Sequence, residues 1–113
     1  MQPIAVPSGA EVKRGAYLDH IRSGAVQRQQ DRVLAVLALA ERPLTRHEIA
    51  ERGGMALSAA CGRVGALLDL DRLEMAGTVK PAGVRSARST LRLTPKGLAD
   101  AETILEEVRC GLA

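Results

Sequence analysis

Between Met75 and Gly97 the chain carries Lys80, Arg85, Arg88, Arg92 and Lys96 and no acidic residue. This segment holds a charge of +5 in a chain whose total is +3, so the remainder sums to −2. A run of cations with no neutralising partner in the same segment is built to meet phosphates, which it binds by displacing condensed counterions. The bland alternative is a solubilising loop, but such loops normally mix signs. The segment is broken by Pro81, Gly83 and Ser86, with apolar residues at strand spacing on either side of the break, Leu73, Met75 and Val79 before it and Leu91 and Leu93 after it. That pattern predicts a hairpin, with strands over 73–80 and 90–94, a loop around Pro81–Arg88, and Ala76-Gly77 as a bulge.

The cations need elements to present them, and the preceding residues supply helices. Val26, Val33, Leu34, Leu37 and Ala40 recur at helical spacing and predict helix 1 over 25–41, stopped by Pro43. Thr45-Arg46-His47-Glu48 fits a capping box, and Gly53-Gly54 ends this second helix and turns the chain. Ser58 is read as the cap of a third helix whose inner face would be Cys61, Val64, Leu67 and Leu68, ending near Leu70-Asp71. Gly62 and Gly65 inside it each cost about 1 kcal/mol against Ala, so close approach of another helix or of a DNA backbone is expected there. Thr94 caps a last helix with Pro95 at its first position, and Leu98, Ala101, Leu105, Val108 and Leu112 form a seam.

Composition bounds the rest. The chain has 113 residues, 46% of them apolar, and Tyr17 is its only aromatic, so the core must be aliphatic and the fold mainly α with a small β-hairpin. The domains expected are an N-terminal arm over 1–22 with one docking helical turn at Tyr17, Leu18 and Ile21, a helical and hairpin body over 23–97, and a C-terminal helix over 98–113. Cys61 and Cys110 are isolated, and with His20 and His47 scattered they do not make the roughly four-ligand set of a zinc site. Cys61 is expected to be a small core residue. The longest nearly apolar run, Val33–Ala40, is eight residues, too short to span a membrane. With no phosphate loop, metal spacing or activated nucleophile, the expectation is a cytoplasmic binding protein without cofactor, metal or enzymatic activity.

The order helix, helix, Gly turn, helix, strand, loop, strand, helix resembles a winged helix-turn-helix domain. The segment TRHEIAERGGMALSAACGRVGALLDLDRLE, residues 45–74, looks like the helix-turn-helix of that superfamily, and LRLTPKG, residues 91–97, is similar to the end of the wing in regulators of the MarR type. CGRV also occurs in small winged-helix proteins of bacteriophages. The resemblance covers about residues 25–98, and Asp71 stands where such proteins usually carry Gly, at a position whose left-handed backbone Asp tolerates.

The resemblance implies double-stranded DNA as partner, a sequence-specific transcription regulator as function, and, through CGRV, a phage or prophage origin. Helix 3 would face bases through Arg63, with Gly62 and its neighbours Ser58 and Ala59 near phosphate or a thymine methyl. Lys80, Arg85, Arg88 and Arg92 would contact phosphate or minor groove, and Arg46 and His47 would offer a phosphate the start of helix 2. Each has an ordinary counterpart: Arg63 a solvated arginine, Ser58 a cap, Arg46 and His47 a polar helix start. The seam Leu98, Ala101, Leu105 and Val108 would join a homodimer, or fold back on helix 1. Two further functions stay open: a phage replication or packaging accessory binding duplex DNA with little sequence choice, and a protein-interaction adaptor, since Ala59, Gly62, Gly65 and Ala66 give helix 3 few side chains that read bases.

Overall fold

The computed structural model describes residues 28–112, with side chains described over 28–110. The expected arm, its helical turn at 17–21, and positions 25–27 of the first predicted helix lie outside them. The described elements are α1 (Gln29–Leu39), β1 (Leu44–Thr45), α2 (Arg46–Gly53), α3 (Leu57–Asp69), β2 (Leu73–Val79), β3 (Arg88–Leu93) and α4 (Pro95–Leu112).

α1 is shorter than its periodicity suggests. Arg28 is extended, and at the other end Ala40 already has φ −77° and ψ 143°. Pro43 disfavours helix in the residue before it, and Glu41 and Arg42 turn away to form ion pairs with α2. Within α1, Val33, Leu34, Ala35, Val36 and Leu37 are all buried, because α4 covers one side and α2 and α3 the other. A helix surrounded in this way needs no polar stripe through its middle. Ala35 and Val36, not among the expected inward positions, are completely buried.

The sheet has three strands where a two-stranded hairpin was expected. Leu44 and Thr45 form the short β1, giving the antiparallel order β1-β3-β2 with Leu44 opposite Leu91 and Thr45 opposite Thr90. The bulge expected at Ala76-Gly77 is present as a register shift between Met75 and Gly77, with Gly77 at φ 155°. Leu44, Leu73 and Leu91 join Val33, Val36, Ile49, Val64 and Leu67 in one aliphatic core.

α3 differs from its expected register. Ala56, not Ser58, is the N-cap residue, no side chain caps the helix, and Ser58 lies exposed inside the first turn. The inner face is Ala60, Val64 and Leu67. Cys61 is exposed, which corrects its reading as a core residue. One position later along a helix rotates a side chain by about 100°, so choosing Cys61 over Ala60 turned it outward.

After α3 the chain reverses through Asp71, at φ 59° the one non-glycine residue with positive φ among those described. The reversal is tied to the start of α4. Thr94 N–H donates to the Arg72 carbonyl (3.1 Å), Thr94 Oγ1 donates to the Asp71 carbonyl (2.7 Å), and Gly97 N–H donates to Thr94 Oγ1 (3.1 Å). A Cβ built on Gly97 would lie 1.9 Å from the Arg72 carbonyl oxygen.

α4 corrects the expected dimer seam. Ala101 (0% exposed) and Val108 (5%) are buried within the chain, Ala101 in the main core and Val108 against Ala35 of α1. The fold-back alternative describes these two positions. Leu105 is half-buried, and Leu98 is 45% exposed.

Two kinds of glycine follow. Gly97→Ala is expected to cost about 3 kcal/mol or more, because a backbone carbonyl cannot step aside as a side chain can. Gly62→Ala and Gly65→Ala are expected to raise stability by about 0.5–1 kcal/mol each, since their Cβ positions meet nothing within 4 Å. Urea denaturation of the three variants measures both signs.

Candidate nucleic-acid interface

The start of α2 is held by local chemistry. Thr45 Oγ1 accepts from Glu48 N–H (3.2 Å), and the Glu48 carboxylate accepts from Thr45 N–H (3.1 Å), closing the expected capping box. Arg42 adds a second partner, its two terminal nitrogens reaching the two Glu48 oxygens at 3.1 and 2.5 Å. This guanidinium is the main reason the Glu48 carboxyl is held down at about 2, with the Thr45 hydrogen bonds adding to it against partial burial. Glu41 is likewise held at about 2, chiefly by Arg52, whose NH2 lies 3.2 Å from it. Gly54, at φ 64°, closes the helix, and Met55 N–H returns to the Ala50 carbonyl (3.0 Å).

The exposed side of α3 lies opposite Ala60, Val64 and Leu67. At about 100° per residue, Ser58, Gly62, Gly65 and Asp69 run along its middle. Ser58, Gly62 and Asp69 are exposed there, Ala59 is half-buried on one flank, and Arg63 is exposed on that same flank. Arg63 has no hydrogen-bond or ion-pair partner among the described residues. Asp69 carries negative charge at the far end of this line, which leaves the N-terminal half of α3 as the end suited to an anionic partner.

The wing divides its cations. Arg92 lies directly across the strand pair from Glu74, and its Nε and NH2 donate to Glu74 Oε2 at 3.1 and 2.9 Å. Its exposure was expected from the alternation of β3, but its acidic partner was not. Lys80 and Arg85 are exposed in the loop between the strands, and Arg88, opposite Val79 at the start of β3, is half-buried. These three have no charged partner among the described residues.

A groove of about 630 Å³ brings two of the expected residues together. His47 from the start of α2 and Arg88 from the wing both line it, with Glu48, Glu51, Thr78 and Val79 among the others. Arg42 lines it as well. The sequence gives no local signal for Arg42, whose role depends on a fold that brings Glu48 back to it. Arg46, next to His47, is half-buried. Ser58, Gly62 and Arg63 line no part of the groove.

Among the described residues no group of His, Cys, Asp and Glu is arranged to hold a metal, and no helix is long and apolar enough to cross a membrane.

No protein-family model matches the sequence, and no curated protein matches it. Solved structures do. The chain is similar to MarR of Staphylococcus aureus in complex with salicylate and kanamycin, at 23% identity and a TM-score of 0.58, over 80% of this chain and 57% of that one. It is similar to ZitR of Lactococcus lactis, at 20% identity and a TM-score of 0.56, over 74% of this chain and 53% of that one. A third likeness is to the adhesin competence repressor AdcR of Streptococcus pyogenes, at 19% identity and a TM-score of 0.60, over 93% and 77%. The chain thus spans a little more than half the length of the first two. At these identities the likeness establishes the fold, which is the winged helix of MarR-type regulators.

The capping network gives a pH prediction. Because the folded Glu48 carboxyl titrates near 2 and its ordinary value is 4.5, the unfolded chain takes up the proton first as pH falls. The stability from this group is therefore complete above about pH 4.5 and is lost progressively towards pH 2. Urea denaturation between pH 7 and 2 should show this decline, flattened in Glu48→Gln. Thr45→Ala, which removes the other half of the box, should cost about 1 kcal/mol at neutral pH.

Proposed function

We propose that this protein binds duplex DNA and acts as a transcription regulator, with the wing loop on the phosphate backbone and the N-terminal half of α3 facing a groove. The observation that carries this reading is the set of wing cations without charged partners, Lys80, Arg85 and Arg88, in a segment with no acid. Unpaired cations keep their full favourable exchange with phosphate counterions, whereas Arg92 must first give up Glu74. The winged-helix fold supports the reading, because helix-turn-helix proteins place the start of their second helix at base edges. Arg63 is the one long polar side chain there, and a bidentate contact to guanine is its expected role. Arg46 and His47 at the start of α2, with Ser58, Ala59 and Gly62 on α3, complete the proposed surface as backbone and phosphate contacts. The fold has no bearing on a phage origin.

A second reading draws on the emptiness around Gly62 and Gly65. Among the described residues nothing lies within 4 Å of a Cβ built on either glycine, so the close approach expected there is not made by another of the described helices. A smooth α3 with a cationic wing also suits binding with little sequence choice. The same experiment separates the two.

The affinity of the protein for a set of duplexes is measured against salt concentration. A steep log–log decline is expected on every duplex, and Arg85→Ala and Arg88→Ala should each make the slope shallower by about 1, equally on all sequences. Arg63→Ala should lose about 1–3 kcal/mol of discrimination with little change in slope. Absence of binding at about 50 mM salt would remove the DNA reading. Selectivity that survives Arg63→Ala would remove Arg63 from base reading.

A further inference from the structure

The polar residues buried among those described are three threonines, Thr45, Thr90 and Thr94. Two of them spend their hydroxyls inside the chain. Thr45 Oγ1 accepts from Glu48 N–H, and Thr94 Oγ1 donates to the Asp71 carbonyl and accepts from Gly97 N–H. Thr90, 5% exposed, makes no side-chain hydrogen bond among the described residues. A buried hydroxyl without a partner costs stability that the similarly shaped Val would not. No fully enclosed side-chain polar atom of the described residues lacks a partner, so the Thr90 hydroxyl must open outwards, and Thr90 lines the groove of about 630 Å³ between α2 and the wing. Gly77 stands opposite Thr90 in the strand pair and lines the same groove. A Cβ built on Gly77 would lie 3.9 Å from Thr90 Oγ1, so the missing side chain leaves the oxygen uncovered.

The charges of the groove narrow what could use that hydroxyl. Its lining holds two arginines and two glutamates, so their formal charges cancel. Arg42 and Glu48 satisfy each other. Glu51 on α2 and Arg88 on β3 have no ion pair among the described residues. Most of the surface the groove exposes is apolar, with Pro43, Pro81 and Val79 in it, and Val79 is 44% exposed. A simple organic anion gains nothing from a lining without net charge, whereas a molecule that carries both signs meets one free partner for each. We propose that this groove binds a small apolar zwitterion, an aliphatic amino acid or a short peptide of such residues. Its ammonium lies at Glu51, its carboxylate at Arg88, its apolar body against Val79 and the prolines, and a polar group on the Thr90 hydroxyl. The volume is within the range of about 300–1,000 Å³ in which folded proteins hold small molecules. The proposal stands apart from the duplex reading: the two share Arg88, and the test contains no DNA.

Leucine and leucyl-leucine are titrated into the isotope-labelled full chain, and the backbone amide resonances are followed. The expected result is saturable shifts at Gly77, Thr90 and Glu51, half complete below about 10 mM. The tighter of the two probes names the source, free amino acid or peptide. Acetylating its amine and amidating its carboxylate should each weaken binding about tenfold, because each removes one charge-assisted contact. Thr90→Val should weaken it to a similar degree while the urea midpoint stays the same or rises, a pairing that a hydroxyl serving only the fold would not give. Absence of any saturable shift overturns the proposal. So does equal binding of the capped probes, which would leave only an apolar hollow, and so does full affinity in a folded Thr90→Val. If Thr90→Val does not fold, Glu51→Gln, at an exposed position, is expected to abolish the preference for the free ammonium, and a preference that persists there overturns the proposal.

Discussion

The arrangement of the molecule depends on the reversal between α3 and β2. Four element ends meet there: the close of α3, the opening of β2, the end of β3 and the first turn of α4. Asp71 takes the left-handed conformation, Thr94 binds the Asp71 and Arg72 carbonyls with its hydroxyl and its N–H, and Gly97 leaves no atom where the Arg72 carbonyl must lie. Arg72 then reaches along α4 to Asp100, Nε to Oδ2 at 2.5 Å. Hydrophobic burial is non-directional, and a core of Leu, Val, Ile and Ala without aromatic rings offers few shapes that distinguish one crossing angle from another. The angle between α3 and the wing is therefore set mainly by this polar knot.

A separate device registers α2. Exposed ion pairs contribute little to stability when isolated, and Glu41, Arg42 and Arg52 are surface residues. The Arg42–Glu48 pair differs because Glu48 is also the reciprocal member of the capping box. Its carboxylate joins the loop after α1, the N–H of β1 and the first turn of α2. Thr45 is at once the last residue of the short β1 and the cap of α2. One threonine thus fixes where the sheet stops and the helix begins, and with it the position of His47 beside Arg88 across the groove. Aliphatic burial supplies the stability of this fold, and a few polar contacts supply its registration.

The sequence was legible where structure is local. The Thr45 box, the Gly54 turn, the left-handed Asp71, the Gly77 bulge and the Thr94-Pro95 start each depend on a residue and its neighbours within three or four positions, and each is present. What could not be read was non-local. β1 is two residues long and has no strand signature of its own; it exists because Leu91 and Thr90 lie beside it. Cys61 and Ala60 are both small, so periodicity could not say which faced inward, and packing against α1 decided it. The seam on α4 was visible, but a stripe of apolar residues does not state its partner. Here the buried middle of α1, Val33–Leu37, supplies one for Ala101 and Val108. Among the cations, Lys80, Arg85 and Arg88 could be named as a basic cluster, but the assignment of Arg92 to Glu74 follows from strand register, which no single-chain charge count contains.

That register also sorts the wing by task. In an antiparallel pair, directly opposed residues of opposite charge stabilise the ladder, so a cation opposite an acid strengthens the sheet and is neutralised by doing so. Glu74 and Arg92 occupy such a pair near the base, where β2 and β3 also carry the core residues Leu73 and Leu91. Beyond the bulge at Gly77, β2 offers Thr78 and Val79, and the loop offers Lys80. No acid remains to oppose Arg88 or Arg85. The bulge thus separates a base whose Arg92 and Glu74 neutralise each other from a tip whose cations have no charged partner among the described residues. A protein whose α3 presents mostly Ser58, Gly62, Gly65 and Asp69 has little else with which to hold a polyanion. In the proposed reading, affinity therefore resides in the tip of the wing, and the smooth helix contributes orientation together with whatever selectivity Arg63 provides.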